Sequence, residues 1–254
     1  HVGITGYGAH EQQLVGGVDL DTQEYSRLPT GRTFGAVGAN VAYGFDWLDL
    51  FGEVAYSFDK SPNPTGPIDG GGGPAAIVRA TATQKNQELE ASLRYYSVNY
   101  ANPYARPLAA ADEVNGQRAR DEVGGRVRHG WTTKRFALRS FVDFWVTPSE
   151  TIPKMDVWVR ADVKANHDWR WGAWLRVRDK DVRETGHTQC YEVSTENDEN
   201  GDPVPCKGQK LTAIGRVGYS PHKLLNTTLQ LQHDWIDDPV KYPTKFRHDV
   251  SAWL

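Results

Sequence analysis

Along most of this chain the side chains alternate with a period of two, and that alternation constrains the fold more than any other feature. From Met155 the sequence reads MDVWVRADVKANHDWRWGAWLRVRDKD. Val157, Val159, Ala161 and Val163 fall on one parity, and Asp156, Trp158, Arg160, Asp162 and Lys164 on the other. After the break at ANHD the pattern resumes, with Trp169, Trp171, Ala173, Leu175 and Val177 set against Arg170, Trp174, Arg176 and Arg178. In a β-strand every second side chain points to the same side, so such a segment has one apolar face and one ionic face. Helical periodicity is scarce. The segment YARPLAAADEVNGQRARDE allows a helical turn near Leu108 to Glu113, bounded by Pro107 and Gly116.

The same reading predicts twelve strands, at about 2–14, 33–46, 48–59, 75–84, 87–99, 121–131, 135–147, 154–165, 168–179, 209–220, 223–236 and 246–254. Their connections alternate short and long. The short ones are 46–48, 84–87, 132–134, 166–168 and 220–222; the long ones are 15–32, 60–74, 100–120, 148–153, 180–208 and 237–245. Up-and-down barrels of the bacterial outer membrane show this asymmetry between rims, whereas Greek-key sandwiches do not require it.

Charge follows the same parity. In the five clearest strands (88–98, 122–131, 136–146, 155–164 and 169–178) one face carries Glu88, Glu90, Arg94, Glu122, Arg126, Arg128, Arg139, Asp143, Asp156, Arg160, Asp162, Lys164, Arg170, Arg176 and Arg178. The opposite face carries no charge and includes Leu89, Leu93, Val123, Val127, Phe136, Leu138, Val142, Phe144, Val157, Val163, Leu175 and Val177. Two environments fit: a soluble sheet with its apolar face in a core, or a membrane barrel with that face in lipid and the charges lining a lumen. Three features favour the barrel. The strands are longer than the ~5–6 residues of ordinary globular strands and reach the ~9–11 that cross a bilayer. Aromatic residues collect beside the short connections, at Tyr43, Phe45, Trp47, Trp131, Phe136, Trp169, Trp171 and Tyr219, and a second group (Tyr95, Tyr96, Tyr100, Phe144, Trp145, Trp235) lies toward the long ones. The loop alternation is the third. Because the ionic face mixes signs, the expected lumen is bridged by salt bridges, with selectivity for a charged solute as the sharper alternative.

Bulk composition sets outer limits. A chain of 254 residues with net charge −3 fits one all-β domain spanning 1–254, read as incomplete at both ends because it opens on His1 and stops inside a strand. The near-neutral charge gives no basis for nucleic-acid contact by this segment. Mean hydropathy is −0.60, and no run approaches the ~20 apolar residues of a spanning helix.

Other candidates are weaker. Cys190 and Cys206 flank a polar stretch and are expected to form a disulfide; a metal site would need more ligands at short spacing. NDENGD (197–202) lacks the distal glutamate of a calcium loop and reads as a solvated acidic turn. IDGGGGP (68–74) matches no phosphate-binding pattern and reads as a loop tip. His10, His129, His167, His187, His222, His233 and His248 are scattered, and Ser140 and Asp143 lie on opposite parity. No catalytic constellation, metal site or cofactor is therefore expected.

GEVAYSFD (52–59), RATATQKNQELEASLRYYSVNYANPYARPLA (79–109) and GQRARDEVGGRVRH (116–129) together resemble the barrel region of bacterial outer-membrane proteins that often carry upstream helix-hairpin-helix segments. The resemblance covers roughly residues 30–180. It implies an outer-membrane location in a Gram-negative cell envelope and a barrel of twelve or more strands, and this chain has no helix-hairpin-helix part from which DNA contact could be carried over. The expectation is thus a porin-like channel, transporter or membrane anchor, with membrane lipid and small solutes as partners. A secreted soluble β-sheet protein that binds glycans through its exposed aromatics is the runner-up, and a barrel enzyme acting on lipid the third reading.

Overall fold

A computed structural model describes residues 1–10, 33–59, 72–100, 121–148, 151–183, 208–222, 225–237 and 246–254. It contains twelve strands: β1 (Val2–His10), β2 (Thr33–Gly44), β3 (Leu48–Asp59), β4 (Pro74–Gln84), β5 (Gln87–Tyr96), β6 (Glu122–Thr132), β7 (Phe136–Thr147), β8 (Ile152–Lys164), β9 (Trp169–Asp179), β10 (Gln209–His222), β11 (Leu225–Ile236) and β12 (Arg247–Trp253). All belong to one sheet in chain order, and every register that is defined is antiparallel. The twelve-strand antiparallel expectation therefore holds, with ends shifted by a few residues.

The short links show why the chain reverses where it does. Between β4 and β5 only Lys85 and Asn86 intervene, and Lys85 adopts φ 51°, the left-handed geometry a two-residue hairpin demands. Between β6 and β7, Thr133 N donates to Phe136 O at 2.7 Å, and Phe136 N donates to Thr133 Oγ1 at 3.0 Å. Between β8 and β9, Asn166 Oδ1 accepts from the backbone N–H of Asp168 and of Trp169, both at 2.9 Å, an Asx turn that ends one strand and starts the next.

The described residues form two compact units. The first comprises His1–Ala82, Ala91–Arg126 and Trp145–Thr151; the second comprises Thr83–Glu90, Val127–Phe144 and Ile152–Leu254. In the first, β1, β2, β3 and β4 pair in regular register, for example Val37↔Tyr56 and Glu53↔Ile77. Phe34 is buried there against Tyr7, and Ala75, Tyr96 and Tyr100 form a small cluster beside Ala55. In the second, β8 to β12 pair in order, with Val157↔Val177 and Val159↔Leu175 on one face and Asp156↔Arg178 and Lys164↔Arg170 on the other.

Burial follows parity, and it is the ionic face that is enclosed. In β5, Glu90, Ser92, Arg94 and Tyr96 are buried while Leu89, Ala91, Leu93 and Tyr95 are exposed. Among the described residues sixteen buried side chains are polar or charged and six are hydrophobic, so polar contacts dominate the interior.

The closed barrel is not present. Closure of a twelve-strand meander requires β1 to pair with β12. Among the described residues β1 pairs with β2 alone and β12 with β11 alone, leaving two free edges. A free edge in hydrocarbon leaves a row of N–H and C=O groups without partners, each at a penalty of several kcal/mol. The transmembrane up-and-down barrel is therefore corrected to an antiparallel sheet with ends. With it fall the porin-like channel, transporter and anchor roles, membrane lipid as a partner, and the outer membrane as location. The sequence pattern misled because apolar–ionic alternation and uneven loops are the same in a sheet with edges and in a closed one. The expected Cys190–Cys206 disulfide lies outside the described residues, among which there is no disulfide, and it is not carried forward. The acidic turn at 197–202, most of the glycine-rich tip at 68–74 and the helical turn at 108–113 also lie outside them.

Candidate binding site

Of the fifteen charged residues assigned to one face, Glu90, Arg94, Glu122, Asp143, Asp156 and Arg178 are buried. Arg126, Arg160, Asp162 and Arg176 are half-buried, and Glu88, Arg128, Arg139, Lys164 and Arg170 are exposed. Four of the exposed five sit within a few residues of a short link, so the face is most open there.

Pairing depends on register. In the first unit Arg94 Nε donates to Glu122 Oε1, both side chains almost fully buried, and the Arg94 guanidinium lies 5.8 Å from the Trp145 ring centroid. In the second, Arg128 approaches Glu90 at 3.5 Å. Arg176 grips Asp156 with both arms, Nε to Oδ1 at 2.9 Å and Nη2 to Oδ2 at 2.6 Å. Asp156 stands opposite Arg178 rather than Arg176, so this is a diagonal cross-strand contact. Arg160 holds Asp162 two residues along its own strand, at 2.6 and 3.0 Å.

Sequence parity missed Arg216, which reaches Asp162 at 3.6 Å from β10, two strands from β8. The reach passes over Gly172, the residue opposite both Asp162 and Arg216. A Cβ at Gly172 would lie 2.9 Å from Asp162 Oδ1, so any larger residue would push the Asp162 carboxylate aside. β10 is not among the five clearest strands by parity, because the polar run Lys210, Thr212, Arg216 is interrupted by Ile214. Thr212 Oγ1 donates to Asp234 at 2.5 Å, extending the polar contacts into β11.

Tyr96 belongs to the enclosed face. Burial, and then the neighbouring Glu122 carboxylate, push its phenol up to about 12. The folded state therefore keeps a proton that the unfolded chain releases near its ordinary pKa of 10.0. The resulting stabilisation is complete below pH 10 and is lost as pH rises toward 12, on the order of 2–3 kcal/mol in all. Denaturation series across this window should show a steeper alkaline decline for the native chain than for Tyr96→Phe; identical slopes would remove the assignment.

The opposite face is apolar and exposed. Near the short links it gathers rings: Trp169 lies 4.5 Å from Tyr219 and 6.2 Å from Trp171, the two indoles stacked at 19°. Trp169 and Tyr219 are direct cross-strand partners, which fixes their spacing. Relative exposures of 38% for Trp169, 50% for Trp171 and 37% for Tyr219 leave each ring a free surface. Trp131 meets Phe136 edge-on at 5.2 Å, and Tyr43 meets Phe45 at 4.7 Å. Beside the Trp169 platform, His167 Nδ1 lies 2.9 Å from Asp168 Oδ1, giving polar groups at its margin.

No protein-family model, curated protein or solved structure matches the chain. The resemblance to outer-membrane barrel proteins with upstream helix-hairpin-helix segments is accordingly corrected: no match carries it, and the closed barrel it implies is replaced by a sheet with two free edges.

Proposed function

We propose that this chain is a glycan-binding β-sheet protein and that Trp169, Trp171 and Tyr219 form its sugar-binding platform. The carrying observation is that three partly exposed rings, two of them stacked, stand together on the paired strands β9 and β10. Apolar C–H faces of a pyranose pack on such rings, and the amphipathic indole and phenol supply contact area at small entropic loss. Hydroxyl recognition falls to the polar margin at His167 and Asp168. The proposal is one of binding, without chemistry on the ligand.

Screening the intact chain against an array of neutral glycans, followed by titration monitored by tryptophan fluorescence, tests it. Trp169→Ala and Trp171→Ala are each expected to weaken the best ligand by about tenfold or more. Trp253→Ala, at an exposed ring on β12, is expected to leave affinity unchanged. An array without hits, or binding indifferent to Trp169→Ala, would overturn the assignment.

A further inference from the structure

On the ionic face, at the short-link end of β7 to β11, lies a cavity of about 420 Å³, within the ~300–1,000 Å³ of small-ligand pockets. Six cations line it: Lys134, Arg135, Arg160, Lys164, Arg170 and Arg216. Among the described residues the only carboxylate in its wall is Asp162, already held by Arg160 and Arg216 together. Among the described residues none of Lys134, Arg135, Lys164 and Arg170 makes an ion pair.

Two of these four are forced together by the backbone. Lys164 and Arg170 are direct cross-strand partners, and like charges placed directly opposite each other destabilise a sheet. Arg135 is tied to the same spot because its carbonyl accepts from Lys164 N at 2.8 Å. Elsewhere on this face cations are set beside carboxylates, as at Arg94–Glu122 and Arg176–Asp156. Here the carboxylate partners are missing and space is left instead. Arginine forks match the oxygens of a tetrahedral oxyanion in pairs, and lysine supplies a compact point charge.

We infer that this cavity binds a compact tetrahedral oxyanion, a phosphate or sulfate group either free or as the ester of a small polar molecule. Binding supplies the countercharge that the Lys164–Arg170 pair lacks, so the ligand relieves a repulsion as well as making new hydrogen bonds. Of the three platform rings only Trp171 borders the cavity; Trp169 and Tyr219 lie outside its lining, and Trp169 shares its face of β9 with Trp171, opposite Arg170.

Isothermal titration of the intact chain with inorganic phosphate, inorganic sulfate and glucose 6-phosphate tests it, with glucose as the neutral control. Saturable binding of at least one anion is expected, with the tightest distinguishing a free ion from an ester. Lys164→Gln and Arg170→Gln should each weaken it about tenfold or more, Lys164→Arg should retain it, and Lys85→Gln, outside the cavity, should leave it unchanged. Thermal unfolding supplies a second readout. Without anion, Lys164→Gln should melt higher than the native chain; with phosphate the native chain should rise and the variant stay put. No saturable heat from any anion, or binding that survives both Gln variants, would overturn the inference. Neutral-glycan binding and its Trp169 dependence are untouched by either result, so failure here and failure of the glycan proposal are distinguishable.

Discussion

Glu122→Ala is expected to lower the stability of the chain by about 3–5 kcal/mol, among the largest effects of any single substitution on the ionic face. Arg94 and Glu122 have side-chain exposures of 0% and 4%, so neither charge is solvated by bulk water. Truncating the glutamate leaves an enclosed guanidinium without its Glu122 counterion, and the desolvation of that cation is less fully offset by attraction. The same calculation predicts that Arg94→Leu combined with Glu122→Leu recovers most of the loss, because two apolar groups remove both desolvation penalties together. Urea-denaturation midpoints of the native chain, the single variant and the double variant check this. A loss under about 1 kcal/mol for Glu122→Ala would place the pair with ordinary surface salt bridges, whose worth is of that order.

The second large effect is expected at Phe34. Among the described residues it is one of the few apolar side chains that are fully buried, at 1% exposure, with the Tyr7 ring edge-on at a centroid distance of 6.5 Å. Phe34→Ala should therefore destabilise by about 3–5 kcal/mol, combining lost transfer free energy with a residual cavity. Phe34→Leu should stay near or below about 1.5 kcal/mol, since it keeps most of the volume. Because the contact joins β1 to β2, the amides of β1 should gain most in hydrogen exchange. Uniform change across the twelve strands, or equal losses for Ala and Leu, would contradict the local role assigned to this ring.

Local features of the fold were legible in the sequence, and its closure was not. β7 was expected at 135–147 and is Phe136–Thr147; β9 was expected at 168–179 and is Trp169–Asp179. Each is a period-two run between turn residues, and both signals reside in the segment itself. β8 begins at Ile152, earlier than the expected 154, because Pro153 is accommodated inside the start of the strand. Whether β1 meets β12 is a question about residues more than two hundred positions apart, and no local pattern encodes the answer. The site divides similarly. Parity alone put Glu90, Arg94, Glu122 and Asp156 on one face, and all four are buried there. Parity does not name partners. Arg176 meets Asp156 on a diagonal set by register, and Arg216 meets Asp162 across an intervening strand, past a glycine whose importance appears only once the strands are aligned. The Trp169–Trp171–Tyr219 group was legible as a local enrichment of aromatics near short links, but its stacking depended on the Trp169↔Tyr219 register.

Among the described residues each strand hydrogen-bonds only to its neighbours in chain order. A ladder of that kind contains no pairing that must wait for a distant stretch of polypeptide to arrive, so it can grow hairpin upon hairpin during synthesis, with modest loop-closure entropy at every addition. The same arrangement means that cutting the backbone between β9 and β10 would separate no two residues of one hairpin closed by a short link. Two such pieces, mixed after separate preparation, retain complementary rims along Trp169–Asp179 and Gln209–His222 through which they can zip back together.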